Sequence, residues 1–94
     1  MVLLKNDGNL LPLTARSRLA LIGPQMNATS DLLSNYHWDN TVVLESSPLQ
    51  ILSQRGTVVA SAKGCAMWGD DRSGFPDAVS AAKLADVAVV FVGL

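Results

Sequence analysis

The sequence predicts an α/β fold, a parallel sheet covered by helices, and three observations predict it. Three short apolar runs are continuous rather than alternating, as in strands buried on both faces. Helical patterns separate the runs, and a glycine closes each of them. Strand, helix, strand, helix, strand at this spacing is the pattern of parallel βαβ units with right-handed crossovers. Strands apolar on both faces need helices above and below. The expected architecture is therefore a three-layer αβα sandwich.

The elements follow in order. Arg18-Leu-Ala-Leu-Ile-Gly23, ended by Pro24, reads as the first strand. A helical turn follows near residues 30–35, with Thr29 or Ser30 as its cap. Residues 48–54 read as a short helix stopped by Gly56. Thr57-Val-Val-Ala-Ser-Ala62, closed by Gly64, is the second strand. Residues 77–86 carry Ala78, Val79, Ala82 and Ala85 on one helical face. Pro76 suits the first turn of that helix, and Asp77 complements its dipole. Val87-Ala-Val-Val-Phe-Val92, closed by Gly93, is the clearest strand, and in an intact doubly wound domain it would be central, with more strands following. Because the chain stops on Leu94 directly after it, the sequence reads as the β-α-β-α-β portion of a truncated domain.

Composition sets the function classes. The chain has 94 residues, 49% hydrophobic and 5% aromatic, with 7 Lys and Arg against 8 Asp and Glu for a net charge of -1. That apolar fraction fits a globular protein, and the length leaves room for one core. Without a basic block there is no nucleic-acid footprint. No apolar run approaches the ~20 residues of a membrane helix. Met1-Val-Leu-Leu meets Lys5-Asn6-Asp7 too soon for a signal peptide to be expected there. One cysteine excludes an internal disulfide and a Cys-rich zinc site. The turn Gly23-Pro-Gln-Met-Asn27 lacks G-x-G-x-x-G, and no P-loop occurs, so a nucleotide fold is disfavoured.

The opening Val2-Leu-Leu-Lys-Asn-Asp-Gly-Asn-Leu-Leu-Pro-Leu13 resembles the start of the C-terminal αβα domain of glycoside hydrolase family 3, the β-glucosidases and β-xylosidases. The resemblance continues through Leu19-Ala-Leu-Ile-Gly-Pro24 and Leu32-Leu-Ser-Asn-Tyr36. It resumes at Ser47-Pro-Leu-Gln-Ile51, Ala62-Lys-Gly-Cys65 and residues 81–94. The Leu-Leu-Ser-Asn-Tyr block looks closest to the β-xylosidase-like branch. The resemblance implies residues 1–17 as a lead-in from a preceding TIM-like barrel and residues 18–94 as part of the sandwich. It also implies a retaining hydrolase needing no metal or cofactor, exported in many members, with an Asp nucleophile on the barrel and an acid/base Glu beyond Leu94. Glu45 is the only Glu and matches neither position, so no catalytic residue is carried over and the chain alone is expected to be inactive. Its partners would be the barrel and, in the intact parent, a carbohydrate substrate.

Asn35-Tyr-His-Trp-Asp-Asn40 is the segment most suggestive of a site. It follows the first strand on the carboxyl-end side, where open α/β folds bind ligands. Aromatic faces stack on sugar rings, and the corresponding loop of some family members sends an aromatic residue to the leaving-group side. Trp38 is the substrate-binding candidate, with Tyr36 and His37 behind it. The competing reading is that Tyr36 and Trp38 pack the loop and His37 is exposed. A lone His makes no metal site.

Other residues carry plainer readings. Cys65 reads as a small buried hydrophobe, although the resemblance also implies that some relatives pair a cysteine here. Asn27-Ala-Thr29 fits the N-glycosylation pattern. Asp70-Asp71-Arg72-Ser73-Gly74 reads as a solvated loop, with Trp68 before it as a surface clamp. Lys5 and Asn6 are expected to organise the boundary with the barrel. Two rivals to the hydrolase reading are a free-standing flavodoxin-like binding module and a non-catalytic fragment that docks on an intact hydrolase through an open strand edge.

Overall fold

The structure, a computed structural model, describes residues 1–33 and 45–93. Its core is a three-stranded parallel sheet in the order β2-β1-β3, built from β1 (Leu19–Ile22), β2 (Val58–Ala62) and β3 (Val87–Val90). Two helices make the crossovers, α1 (Pro48–Gln54) before β2 and α2 (Phe75–Lys83) before β3. This is the α/β sandwich arrangement that the apolar runs predict. The first crossover steps to one side of β1 and the second steps back past it. Right-handed connections of opposite step place their helices on opposite faces.

β1 is the strand that the core surrounds. Leu19, Ala20 and Leu21 are buried, and Leu21 is fully so. Burying a leucine side chain contributes about 1.5–3 kcal/mol. β1 takes hydrogen bonds from both sides: the Leu19 amide donates to the Thr57 carbonyl at 2.8 Å, and the Phe91 amide donates to the Ile22 carbonyl at 2.7 Å. Leu19 pairs with Val58 but Ala20 pairs with Ala60, so Val59 is an extra residue, a bulge with its side chain exposed.

The expectation that all three runs are buried on both faces holds for β1 only. In β2 and β3 half-buried and exposed residues alternate, and Val90 is 58% exposed. Both are edge strands, and the closest helix packing, α2 against β1 and β2, covers one side of the sheet. β3 is an edge of the described three-stranded sheet, as expected for the β-α-β-α-β portion of a larger sandwich.

The helices form for local reasons. Ser47 caps α1: its Oγ accepts from the Gln50 amide at 3.2 Å, while the Gln50 side chain accepts from the Ser47 amide at 2.8 Å. Pro48 occupies the first turn, and α1 ends at Arg55 before Gly56, whose φ is +71°. α2 begins two residues earlier than its sequence pattern predicts, and its apolar stripe is Ala78, Ala81 and Ala82, continued just past the helix by Ala85. Val79, expected on that face, is 52% exposed because it lies off this i, i+3, i+4, i+7 row. The helical turn predicted near residues 30–35 is a 3-10 turn, Asp31–Leu33, in which the Leu33 amide donates to the Ser30 carbonyl.

The leading segment is held by Asn6, whose amide nitrogen donates to the Leu11 carbonyl and whose carbonyl accepts from the Leu11 amide, both at 2.9 Å. Lys5 pairs with Asp7 at 3.0 Å. Among the described residues no helix is long and apolar enough to cross a membrane.

Candidate functional site

Parallel strands put their carboxyl ends on one side, and the loops that leave them build whatever site the fold has. Here β1 sends its chain to one side of the sheet and β3 lies on the other. The crevice between the carboxyl ends of β1 and β3 is thus the topological switch point.

Gly23 and Gln25 sit at this switch point. Gly23 has φ +114°, and a Cβ there would collide with the Phe91 carbonyl, so only glycine lets β1 leave the sheet this close to β3. The Gly23 amide donates to the Ala62 carbonyl at 3.1 Å, and the Gln25 amide reaches back to the Phe91 carbonyl at 3.5 Å. Gln25 is 8% exposed there. Its Nε2 donates to the Met67 sulfur at 3.1 Å, whereas its buried Oε1 accepts no hydrogen bond among the described residues. A buried acceptor without a donor costs about 1–3 kcal/mol. Gly93 lies against the same side chain, close enough that a Cβ there would stand 3.1 Å from Nε2.

A second group joins the β1 turn to α1. The fully buried Ser47 donates from Oγ to the Asn27 Oδ1 at 2.7 Å, and the Leu49 amide donates to the Met26 carbonyl at 2.9 Å. The start of α1 is thereby tied to residues 26 and 27.

A third lies beyond β2. Cys65 is a free, half-buried thiol rather than a fully buried one, since it lines an open cavity of about 220 Å³ with Lys63, Gly64, Ala66, Asp71, Ser73 and Gly74. Gly74 is fixed here because a Cβ would collide with the Gly64 carbonyl. The Ser73 amide donates to Asp71 Oδ1 at 2.9 Å and holds that carboxyl below its usual range. Asp70, Asp71, Arg72 and Ser73 are exposed, as a solvated loop should be. Trp68 is 80% exposed, so it does not clamp the surface as the sequence predicts. The loop carries it clear of the neighbouring side chains.

The sequence-predicted substrate residues Tyr36, His37 and Trp38 lie outside the described residues. Gln25 is the residue that the sequence reading missed. Its signal is a polar side chain two positions past the strand-ending glycine. Among the described residues no group of three or more His, Cys, Asp or Glu side chains converges as metal ligands would.

Comparison with known proteins adds what this geometry does not contain. The family model described as "Glycosyl hydrolase family 3 C-terminal domain" matches residues 1–94. The probable exo-1,4-β-xylosidase of Aspergillus fumigatus is 43% identical over 94 residues, covering 100% of this chain and 12% of that protein. The exo-1,4-β-xylosidase of Aspergillus niger is 39% identical over 100 residues, again 100% of this chain and 12% of the relative. For the probable exo-1,4-β-xylosidase of Aspergillus terreus the values are 39% over 93 residues, with 99% and 12% covered. The chain thus spans 12% of the length of these relatives.

Proposed function

Because the chain belongs to the glycosyl hydrolase family 3 C-terminal domains, we propose that it is the first part of the αβα sandwich of a retaining, exo-acting β-glycosidase. The substrate is a glycoside with terminal β-linked xylose or glucose. The carrying observation is similarity along the whole chain to proteins named exo-1,4-β-xylosidases, which favours xylose.

In this reading the chemistry belongs to two carboxyl groups outside residues 1–94. An Asp of a barrel domain attacks the anomeric carbon to form a glycosyl-enzyme. A Glu protonates the leaving oxygen and then activates water. Residues 1–17 lead in from the barrel, and residues 18–94 supply the sheet on which the acid/base loop is mounted. Trp38, with Tyr36 and His37, contacts the leaving-group side of the sugar. The chain by itself does not hydrolyse glycosides.

The test is to express the whole protein that contains this chain and follow aryl β-xyloside and aryl β-glucoside cleavage by NMR. The reading predicts that the β-anomer of the free sugar appears first, and faster from the xyloside. First appearance of the α-anomer contradicts retention, and failure to cleave either glycoside contradicts the activity.

A further inference from the structure

We propose that Asn27 is an acceptor for an N-linked oligosaccharide when the chain enters a eukaryotic secretory pathway. Of the five asparagines (Asn6, Asn9, Asn27, Asn35 and Asn40), Asn27 alone is followed by a hydroxyl residue at the second position, in Asn27-Ala28-Thr29. The intervening residue is alanine, so the proline that blocks such sites is absent.

The structure gives this triplet the placement that modification needs. Asn27 is exposed and sits at the end of the turn that leaves β1. Its amide is already divided between two tasks. The Oδ1 accepts from the buried Ser47 Oγ at 2.7 Å and so anchors the side chain to the start of α1. The sugar attaches to the other end, Nδ2. An N-glycosylated asparagine is a secondary amide whose carbonyl is unchanged, so the Ser47 hydrogen bond and the glycan are compatible. The donor is a lipid-diphosphate-linked oligosaccharide. The bond from its anomeric carbon to the phosphate oxygen breaks, the bond from that carbon to Nδ2 forms, one Nδ2 proton is released, and the lipid diphosphate leaves.

A glycan here has a structural consequence. It fixes the Asn27 side of the sheet's carboxyl end as a solvent-facing surface, because a branched oligosaccharide cannot be packed into a domain boundary. The inference stands on the triplet, the exposure and the Ser47 bond, independently of the hydrolase reading.

The experiment secretes the 94-residue chain from yeast behind a cleavable leader. It reads the tryptic peptide covering residues 19–55 by mass spectrometry, in medium and in cell extract, so that retention inside the cell does not hide the result. Peptide N-glycosidase in heavy-oxygen water then marks the attachment point. The expected result is a glycosylated peptide labelled at residue 27, lost in Thr29→Ala and kept in Thr29→Ser. Recovery of the wild-type peptide unmodified, beside a fully modified control glycoprotein from the same cells, overturns the proposal.

Discussion

Arg18 and Asp86 stand 68 residues apart and close the amino ends of β1 and β3 on each other from both directions. The Asp86 Oδ2 accepts from the Arg18 amide at 3.0 Å and from its Nε at 3.3 Å, and Oδ1 accepts from Nη2 at 2.9 Å. In return the Arg18 carbonyl accepts from the amides of Asp86 and Val87. A two-pronged guanidinium grip of this kind sets register as well as adding attraction.

The pH dependence of the fold follows from that pair. The side-chain hydrogen bond from Arg18, then its backbone amide, hold the Asp86 carboxyl below its ordinary value. A carboxyl with a depressed folded pKa contributes stability that is fully present above its unfolded value and is lost as pH falls toward the folded one. Both side chains are half exposed, so the effect is small. Asp86→Asn should lower the urea midpoint at neutral pH, and its gap from wild type should close below the carboxylate range. A gap independent of pH contradicts this role.

Ser47→Ala removes the cap of α1 and the tie to Asn27 together. Loss of a serine cap costs about 0.5–2 kcal/mol, and the buried position places this one toward the upper half. Gln50→Ala, which breaks only the return bond of the capping box, should cost less. Urea denaturation of the two variants checks the order.

Two glycines with positive φ separate strain from collision. At Gly56 an added Cβ meets nothing within 4 Å, so Gly56→Ala should cost about 1 kcal/mol, from the left-handed backbone alone. At Gly23 the same change drives a Cβ into the Phe91 carbonyl and should cost distinctly more, about 3 kcal/mol or above. Faster hydrogen exchange at the Phe91 amide is the accompanying signature.

Much of this was legible in the residues. Ser47-Pro48 and Gly56 bracket α1 at its observed bounds because caps act locally. The three strands were readable from their continuous apolar runs. Their burial was not, since Val87 and Val90 have the same composition whether the next strand is present or absent. The order β2-β1-β3 places β3 at the edge of the described sheet. The phase of α2 was misread at Val79 because four alanines and one valine define a stripe only weakly. At the site, Gln25 was invisible to the sequence because its neighbours Met67, Phe91 and Gly93 stand 42 to 68 residues further along the chain.

Trp38 carries the functional prediction. An aromatic face against a sugar contributes on the order of 1 kcal/mol beyond area burial. Trp38→Ala in the whole protein should therefore lower kcat/KM for aryl β-xylosides by roughly tenfold, with an unchanged unfolding midpoint. An unaltered kcat/KM assigns the residue to loop packing instead.

The most direct test of the central claim is a transplant. The stretch of the Aspergillus niger exo-1,4-β-xylosidase that matches this chain is replaced by residues 1–94, and kcat/KM on an aryl β-xyloside is measured. If the chain is the supporting part of a family 3 sandwich, the chimera melts cooperatively and keeps activity within about tenfold of its parent, roughly 1.4 kcal/mol. A chimera that melts as cooperatively as its parent but releases no xylose contradicts the account.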